Sequence, residues 1–342
     1  MKILYGIQGT GHGHVSRARE ILPYLAESAS VDVLLSGYNC KLGLEGFNIH
    51  KKRGISFEYD KQGSVSIIDT ALSLHPVSLL RDIQNLKVDE YELIISDFEP
   101  ITAWAGIMSD TPCIGLSHQA AFLSGKSPRP KKRNPVAEQF MKHFAPSDAE
   151  IGFHYKRYDS GIEPPVIREN ILQLKPIEGG HVTVYLPAFD HETIVYILLN
   201  LAEVEWHIFS PLCEKEYVKR NVRVFPVGNE PFLKSLEGSL GVLTSAGFET
   251  CAEAMYLRKK LFTIPIKNQY EQLCNAAALS EMGVRVSYDW GRNLEQGLKK
   301  WIRDDVPVYL DEIADVEKIS GKLLRFARMC ALKRREPVAA AL

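Results

Sequence analysis

The residues best suited to chemistry sit near the start of the chain, in Gly9-Thr10-Gly11-His12-Gly13-His14. Glycines let backbone approach a ligand closely, and a helix that starts at such a turn offers unpaired N–H groups to an anion. Imidazole titrates near neutrality, so His14 or His12 could take a proton from a hydroxyl as a general base. Either could equally cap the helix or bond a loop carbonyl. A dinucleotide fingerprint would put a third glycine where Ser16 stands and an acid at the end of the second strand, which instead ends in Ser36-Gly37. A nicotinamide enzyme is a distant reading on both counts.

A second cluster, Ser245-Ala246-Gly247-Phe248-Glu249-Thr250-Cys251-Ala252-Glu253, forms a small-residue turn between a buried strand and a helix. A helix N-terminus at Gly247 can seat a diphosphate. Glu253 falls about one to two turns into that helix, within reach of ribose hydroxyls. The plainer expectation is that Glu249 and Glu253, at i and i+4, form a solvated helix face. A third cluster, Pro265-Ile266-Lys267-Asn268-Gln269-Tyr270-Glu271-Gln272 followed by Asn275-Ala276, offers paired donors and acceptors to sugar hydroxyls. Its alternative is helix capping by Asn268.

These groups need a frame. Met1 to Ile7 reads as a strand, and Val15, Ala18, Ile21, Leu22 and Leu25 then recur at helical spacing. Val31 to Leu35, Leu93 to Ser96 and Cys113 to Leu116 read as further strands, with helical patterns over Asp69 to Leu86 and Ile101 to Met108 between them. After a basic, proline-bearing stretch from Lys126 to Pro135 and a second proline-rich point at Glu163-Pro164-Pro165, the alternation restarts. Val182 to Leu186, Trp206 to Phe209, Val222 to Phe225, Gly241 to Thr244 and Leu261 to Ile264 read as strands. His191 to Ala202, Glu230 to Leu236, a stretch ending near Leu257, and Asn268 to Met282 read as helices. The expected fold is α/β, with two Rossmann-like doubly wound domains facing across a cleft: residues 1–165, residues 178–320, and a basic tail over 321–342.

Composition agrees. At ~150 residues per domain, 342 residues make about two domains. Apolar residues at 45% and charged residues at 24% are those of a globular enzyme. Lys plus Arg (41) balance Asp plus Glu (42), which gives no global basic excess for nucleic acid. The six cysteines never form C-x-x-C and are expected to be reduced and mostly buried. The first strand directly follows the start methionine, with no leader pattern, and the longest apolar runs, such as Ile194 to Leu201, fall short of the ~20 residues that span a bilayer. A cytoplasmic protein is expected, peripheral on the inner membrane face at most.

Together the three clusters resemble the GT-B glycosyltransferases, in particular the branch of the lipid-linked N-acetylglucosaminyltransferase of peptidoglycan synthesis and the UDP-glycosyltransferases. Gly11-His12-Gly13-His14-Val15 is similar to that branch's G-G-H-V loop, and Leu116-Ser117-His118-Gln119 to its H-E-Q segment. Ser245 to Glu253, Ile264-Pro265 and Gln272-Leu273-Cys274-Asn275-Ala276 follow the motif order of its donor half. The resemblance implies a nucleotide-sugar co-substrate, UDP-linked, and no other cofactor. It implies donor contacts at Gly247, Glu253, Asn268, Gln269, Glu271 and Gln272, with backbone around Pro226 and Val227 facing the base. Gly11, Gly13, His118 and Gln119 fall on the acceptor side. His14 takes the base position, with His12 as the alternative.

Two features depart from the branch. Leu186-Pro187-Ala188-Phe189-Asp190 stands where the relatives carry a glycine- and serine-rich phosphate loop, and the histidine turn is spaced differently. No Asp-x-Asp triplet of the metal-dependent glycosyltransferases is present, so a metal-independent transfer is expected, and the resemblance implies inversion. The acceptor could be a saccharide, a lipid-linked group or a small molecule. The basic run Lys126, Arg129, Lys131, Lys132 and Arg133 and the tail with Lys322, Arg325, Arg328 and Lys333 could meet anionic headgroups, or simply be solvated. The rival readings are a UDP-sugar 2-epimerase and a non-catalytic nucleotide-sugar-binding protein.

Overall fold

The computed structural model describes residues 1–9, 13–37, 44, 46–55, 76–289 and 292–335. Among these, the first unit is a sheet of seven parallel strands: β1 (Lys2–Gln8), β2 (Ser30–Ser36), β3 (Asn48–Lys52), β4 (Leu93–Asp97), β5 (Cys113–Ser117), β6 (Ala149–Phe153) and β7 (Ile162–Glu163). Their order is β3-β2-β1-β4-β5-β6-β7. The second sheet also has seven: β8 (His181–Tyr185), β9 (Glu205–Ser210), β10 (Tyr217–Lys219), β11 (Val222–Pro226), β12 (Ser239–Thr244), β13 (Lys260–Thr263) and β14 (Arg285–Val286). Its order is β10-β11-β9-β8-β12-β13-β14, parallel except where β10 runs against β11. In chain order the helices are α1 (Gly13–Ala26), α2 (Pro76–Asn85), α3 (Pro100–Met108), α4 (Pro135–Phe144), α5 (Glu169–Leu172), α6 (His191–Leu198), α7 (Asn229–Gly238), α8 (Phe248–Tyr256), α9 (Tyr270–Glu281), α10 (Arg292–Asp304) and α11 (Val316–Arg335).

Strand order reverses between β1 and β4 in the first sheet and between β8 and β12 in the second. Open α/β sheets bind ligands in the crevice at such switch points, beyond the carboxyl ends of the strands. The chain places the histidine turn after β1, Asp97 at the end of β4, and Ser245-Ala246-Gly247 after β12, so both switch points carry the chemistry-bearing residues.

The apolar strands legible in the sequence are those with buried cores, such as β1, β4 and β5. Others escape for physical reasons. β3, Asn-Ile-His-Lys-Lys, is a largely solvated edge strand with no apolar run. α4 follows the basic stretch, yet it carried a local signal: Asn134 accepts from Ala137 N at 3.1 Å and Pro135 opens the first turn. The helical pattern expected from Asp69 is described only from Pro76, because residues 56–75 lie outside the described residues.

The basic tail is not an independent segment. Its described part, residues 321–335, lies in α11, whose Ile319, Leu323 and Ala327 are buried in the core that also holds Val15, Ile21 and Leu25 of α1. Lys322 pairs with Glu163. The stripe formed by Ile319, Leu323 and Ala327 is therefore covered by the first unit. Among the described residues, no helix is long and apolar enough to cross a membrane.

One core runs through both units. Phe153 and Tyr155 of the first share it with Phe248, Cys251 and Ala252 of the second. The four cysteines at 113, 213, 251 and 274 are buried free thiols, Cys330 is half-buried, and Cys40 lies outside the described residues.

Far from the switch points, the rings of His181 and His207 stack at 3.9 Å on β8 and β9, and both nitrogens lie near Ser235 Oγ. Burial lowers both, and the neighbouring imidazole and Arg223 help bring His207 to about 4, against the pull of Glu205. A histidine whose folded pKa lies below its unfolded value contributes stability above ~6.5 that is lost as pH falls toward the folded value. We expect His207→Phe, which keeps a ring but not a proton site, to move the acid-unfolding midpoint to lower pH, read by circular dichroism.

Candidate active site

α1 begins directly beyond β1, and its first turn carries His14, 9% exposed. Its partner comes from β4. The sequence Ser96-Asp97-Phe98-Glu99-Pro100 divides two carboxylates between two tasks. Glu99 caps α3, accepting from Ile101 N at 2.9 Å and Thr102 N at 2.7 Å. Asp97 turns the other way and meets His14, Nδ1 to Oδ1 at 2.7 Å. Phe98 between them has a φ of 54°, a left-handed conformation that costs a bulky residue about 1–3 kcal/mol. Its ring lies parallel to that of His14, with centroids 6.5 Å apart.

Asp97 is fully buried. Burial alone would raise its pKa, but the charge of Arg17, His14 and the hydrogen bonds from both outweigh it and hold the carboxyl below its ordinary range. The Arg17 guanidinium spans the carboxylate, Nε to Oδ2 at 3.0 Å and Nη2 to Oδ1 at 2.6 Å. Because arginine only donates and an ionised carboxylate only accepts, the His14 Nδ1 facing Oδ1 must carry the hydrogen. In the neutral ring Nε2 then presents a lone pair.

The second unit meets this group directly. Arg17 Nη1 donates to Glu249 Oε1 at 2.9 Å, and Glu249 lies in the first turn of α8. A side chain at Gly13 would bring its Cβ to 2.4 Å from Glu249 Oε2, so a larger residue there would push this carboxylate aside. Gly247 is the N-cap of α8, whose end has no side-chain cap, and a Cβ on Gly247 would meet only Ser245 Oγ at 4.0 Å. An uncapped N-terminus with open space before it is what an anion would occupy.

Glu249 and Glu253 are not a solvated face. Glu253 is 3% exposed and held at both oxygens by Arg168, at 2.5 Å from Nε and 2.8 Å from Nη2. Burial pushes its carboxyl up, against the opposing pull of Arg168.

The third cluster forms the turn before α9. Asn268 is exposed with a φ of 63°, and the N-cap position falls to Gln269, so Asn268 does not cap this helix. Gln272 Oε1 accepts from Ile266 N at 2.9 Å and so braces the turn. Glu271 faces the first unit, where Gln119 Nε2 donates to it at 2.8 Å. Gln269 Oε1 and Gln119 Oε1 are buried without hydrogen-bond partners among the described residues. Val227 follows β11 and is 46% exposed.

His118 lies in the seam between the units. Its ring stacks on Phe248 at 3.9 Å, Nδ1 lies 2.7 Å from Phe153 O, and Nε2 lies 2.7 Å from Asn275 Oδ1. Asn275 in turn donates to Ala246 O at 2.9 Å. The first-unit turn reaches this seam because Gly152 lets β6 pass the backbone of Ala121, which would lie 2.5 Å from an added Cβ. His12 and Gly11 lie outside the described residues.

The sequence reading passed over Asp97, Arg17 and Arg168. A carboxylate closing the apolar strand Leu93-Ile94-Ile95-Ser96 was a usable signal for Asp97. The arginines carried none, since their carboxylate partners are 80 to 232 residues away.

Comparison with known proteins agrees with this architecture. The model of glycosyl transferase family 1 matches residues 1–302. No curated protein matches the chain by sequence. Among solved structures, UGT89C1 of Arabidopsis thaliana complexed with UDP aligns with a TM-score of 0.58 at 12% identity, covering 98% of this chain and 96% of that one. MurG of Acinetobacter baumannii aligns with a TM-score of 0.58 at 10% identity over 95% and 99% of the two chains. The glycosyltransferase VinC, in complex with dTDP, aligns with a TM-score of 0.55 at 11% identity over 96% and 100%. At these identities the likeness is one of fold, the GT-B arrangement. With the family model matching most of its length, the chain belongs to glycosyl transferase family 1 and is a glycosyltransferase.

Proposed function

We propose that the protein transfers a sugar from a nucleoside-diphosphate donor, UDP-linked, to an acceptor hydroxyl, with inversion, using His14 as the general base. The observation that carries this reading is the His14–Asp97 pair at the first sheet's switch point, one ion pair away from the open N-terminus of α8 at the second. Asp97 fixes Nδ1–H, so Nε2 takes the proton as the acceptor oxygen bonds to the anomeric carbon. The bond from that carbon to the diphosphate breaks, and the leaving group's negative charge develops at the α8 N-terminus, where fixed N–H dipoles favour it.

Donor binding then exchanges partners. Ribose hydroxyls take Glu253 from Arg168, which frees a guanidinium beside the α8 N-terminus and compensates for the missing phosphate loop after β8. The unpartnered Oε1 atoms of Gln269 and Gln119 suit sugar hydroxyls, as does Glu271. Asn268 and Gln272 shape the turn, and Val227 adjoins the base. UDP and dTDP bound to two of the structural relatives support a nucleoside diphosphate. On the acceptor side, the rings of Phe98, Phe144 and Phe140 follow one another at 4.7 and 4.9 Å from beside His14 to the exposed face of α4, which supports an acceptor with an apolar part.

A panel of UDP- and dTDP-sugars against apolar alcohols, phenols and lipid-linked acceptors tests the proposal by mass spectrometry. We expect a glycoside product whose rate is unchanged by EDTA. Strict dependence on added Mn²⁺ or Mg²⁺ would contradict the metal-free scheme, and conversion of UDP-N-acetylglucosamine to its epimer with no acceptor would replace transfer by epimerisation.

A further inference from the structure

The Arg17 side chain is 2% exposed, and its fork touches both halves of the site. Two of its donors hold Asp97, Nη2 also lies 3.2 Å from His14 Nδ1, and Nη1 holds Glu249 of α8. The guanidinium lies over the Phe153 ring at 5.3 Å, which fixes its plane. Among the described residues, the charged groups that face His14 are Asp97 on β4 and Arg17 on α1, with Glu249 on α8 bound to Arg17. The buried Tyr5 phenol on β1 faces Asp97 and Arg17. A planar five-donor fork can hold one carboxylate at both oxygens and a second one at once, as a lysine ammonium cannot in this geometry.

We propose that Arg17 is a positioning residue that couples the base to the closed contact between the two units: with Glu249 docked on Nη1, the guanidinium is held flat on Asp97, and His14 keeps Nδ1–H toward Asp97 and Nε2 toward the acceptor. This rests on the reading of His14 as the base. When α8 withdraws, Arg17 has one carboxylate instead of two, it competes harder with His14 for Asp97, and the base loses its orientation. Proton abstraction is thereby confined to the state in which the donor helix is in place.

The test reads the His14 ring nitrogens by NMR on protein carrying ¹⁵N-histidine, with no substrate needed, in wild type, Arg17→Gln, Arg17→Lys, Glu249→Gln and the Arg17→Gln/Glu249→Gln double variant. His14→Ala assigns the signal. Loss of either the Arg17 guanidinium or its Glu249 clamp is expected to move the neutral His14 ring from Nδ1–H toward Nε2–H, so the ¹⁵N signals of Arg17→Gln and Glu249→Gln shift in the same direction. In the double variant the Glu249 change adds nothing to Arg17→Gln, because its effect runs through the guanidinium. Arg17→Lys restores only part of the wild-type position. On the donor–acceptor pair from the panel, Glu249→Gln lowers kcat about tenfold with donor KM unchanged. Glu249 is partly exposed, so that variant folds even if Arg17→Gln does not.

An unchanged His14 ¹⁵N pattern in Glu249→Gln, or full additivity in the double variant, would overturn the coupling. Undiminished turnover in His14→Ala would instead remove the base assignment, so the two failures are distinct.

Discussion

His14→Ala lowers turnover by about 10²–10⁴-fold, the contribution of a positioned general base, and leaves donor affinity within about twofold. The split follows from the structure. His14 belongs to the first unit and touches Asp97 and Arg17, whereas the groups assigned to the donor, Gly247, Glu253, Gln269 and Glu271, lie on the second. In the proposed mechanism the imidazole is needed only when the acceptor proton moves. Donor KM and kcat measured side by side check this; a large rise in KM at constant kcat would place His14 in donor binding instead.

Asp97→Asn is expected to be nearly as damaging to turnover, about 10²-fold, and to reduce stability by about 3 kcal/mol as well. An asparagine can present its amide N–H₂ to His14, which then turns its protonated nitrogen toward the acceptor. It also leaves the buried Arg17 with one carboxylate, Glu249, in place of two. The pH dependence has a definite sign. Because the folded Asp97 carboxyl lies below its ordinary range, its stabilising contribution is fully present above ~3.9 and is lost as pH falls through the folded value. The variant lacks that component, so urea unfolding at pH 7 shows the deficit and unfolding at pH 3 shows less of it. An equal deficit at both pH values would mean that the loss is one of packing rather than charge.

Much of this site could be read from local sequence, and the division is instructive. His14 and Gly247 announce themselves because a glycine turn between an apolar strand and a periodic helix is a local pattern. The carboxylates of α8 are also visible, but their surroundings are not: i and i+4 spacing on a helix predicts a solvated pair, and only the apposition of the two units buries Glu253 and gives both residues arginine partners. His118 and Gln119 were legible as a motif on the acceptor side, whereas the fold sets them in the seam against Asn275 and Glu271. The tail shows the same limit, since Ile319, Leu323 and Ala327 make an amphipathic stripe whose cover, α1, lies at the other end of the chain.

Thermal shift with UDP on wild type, His14→Ala and Glu253→Ala tests most directly the claim that the donor pocket belongs to the second unit and the base to the first. UDP should raise the melting temperature of wild type and His14→Ala alike, by about 2.7 kcal/mol of stabilisation at a hundredfold excess over Kd, and should raise that of Glu253→Ala far less. Equal stabilisation of Glu253→Ala, or its loss in His14→Ala alone, would contradict the account.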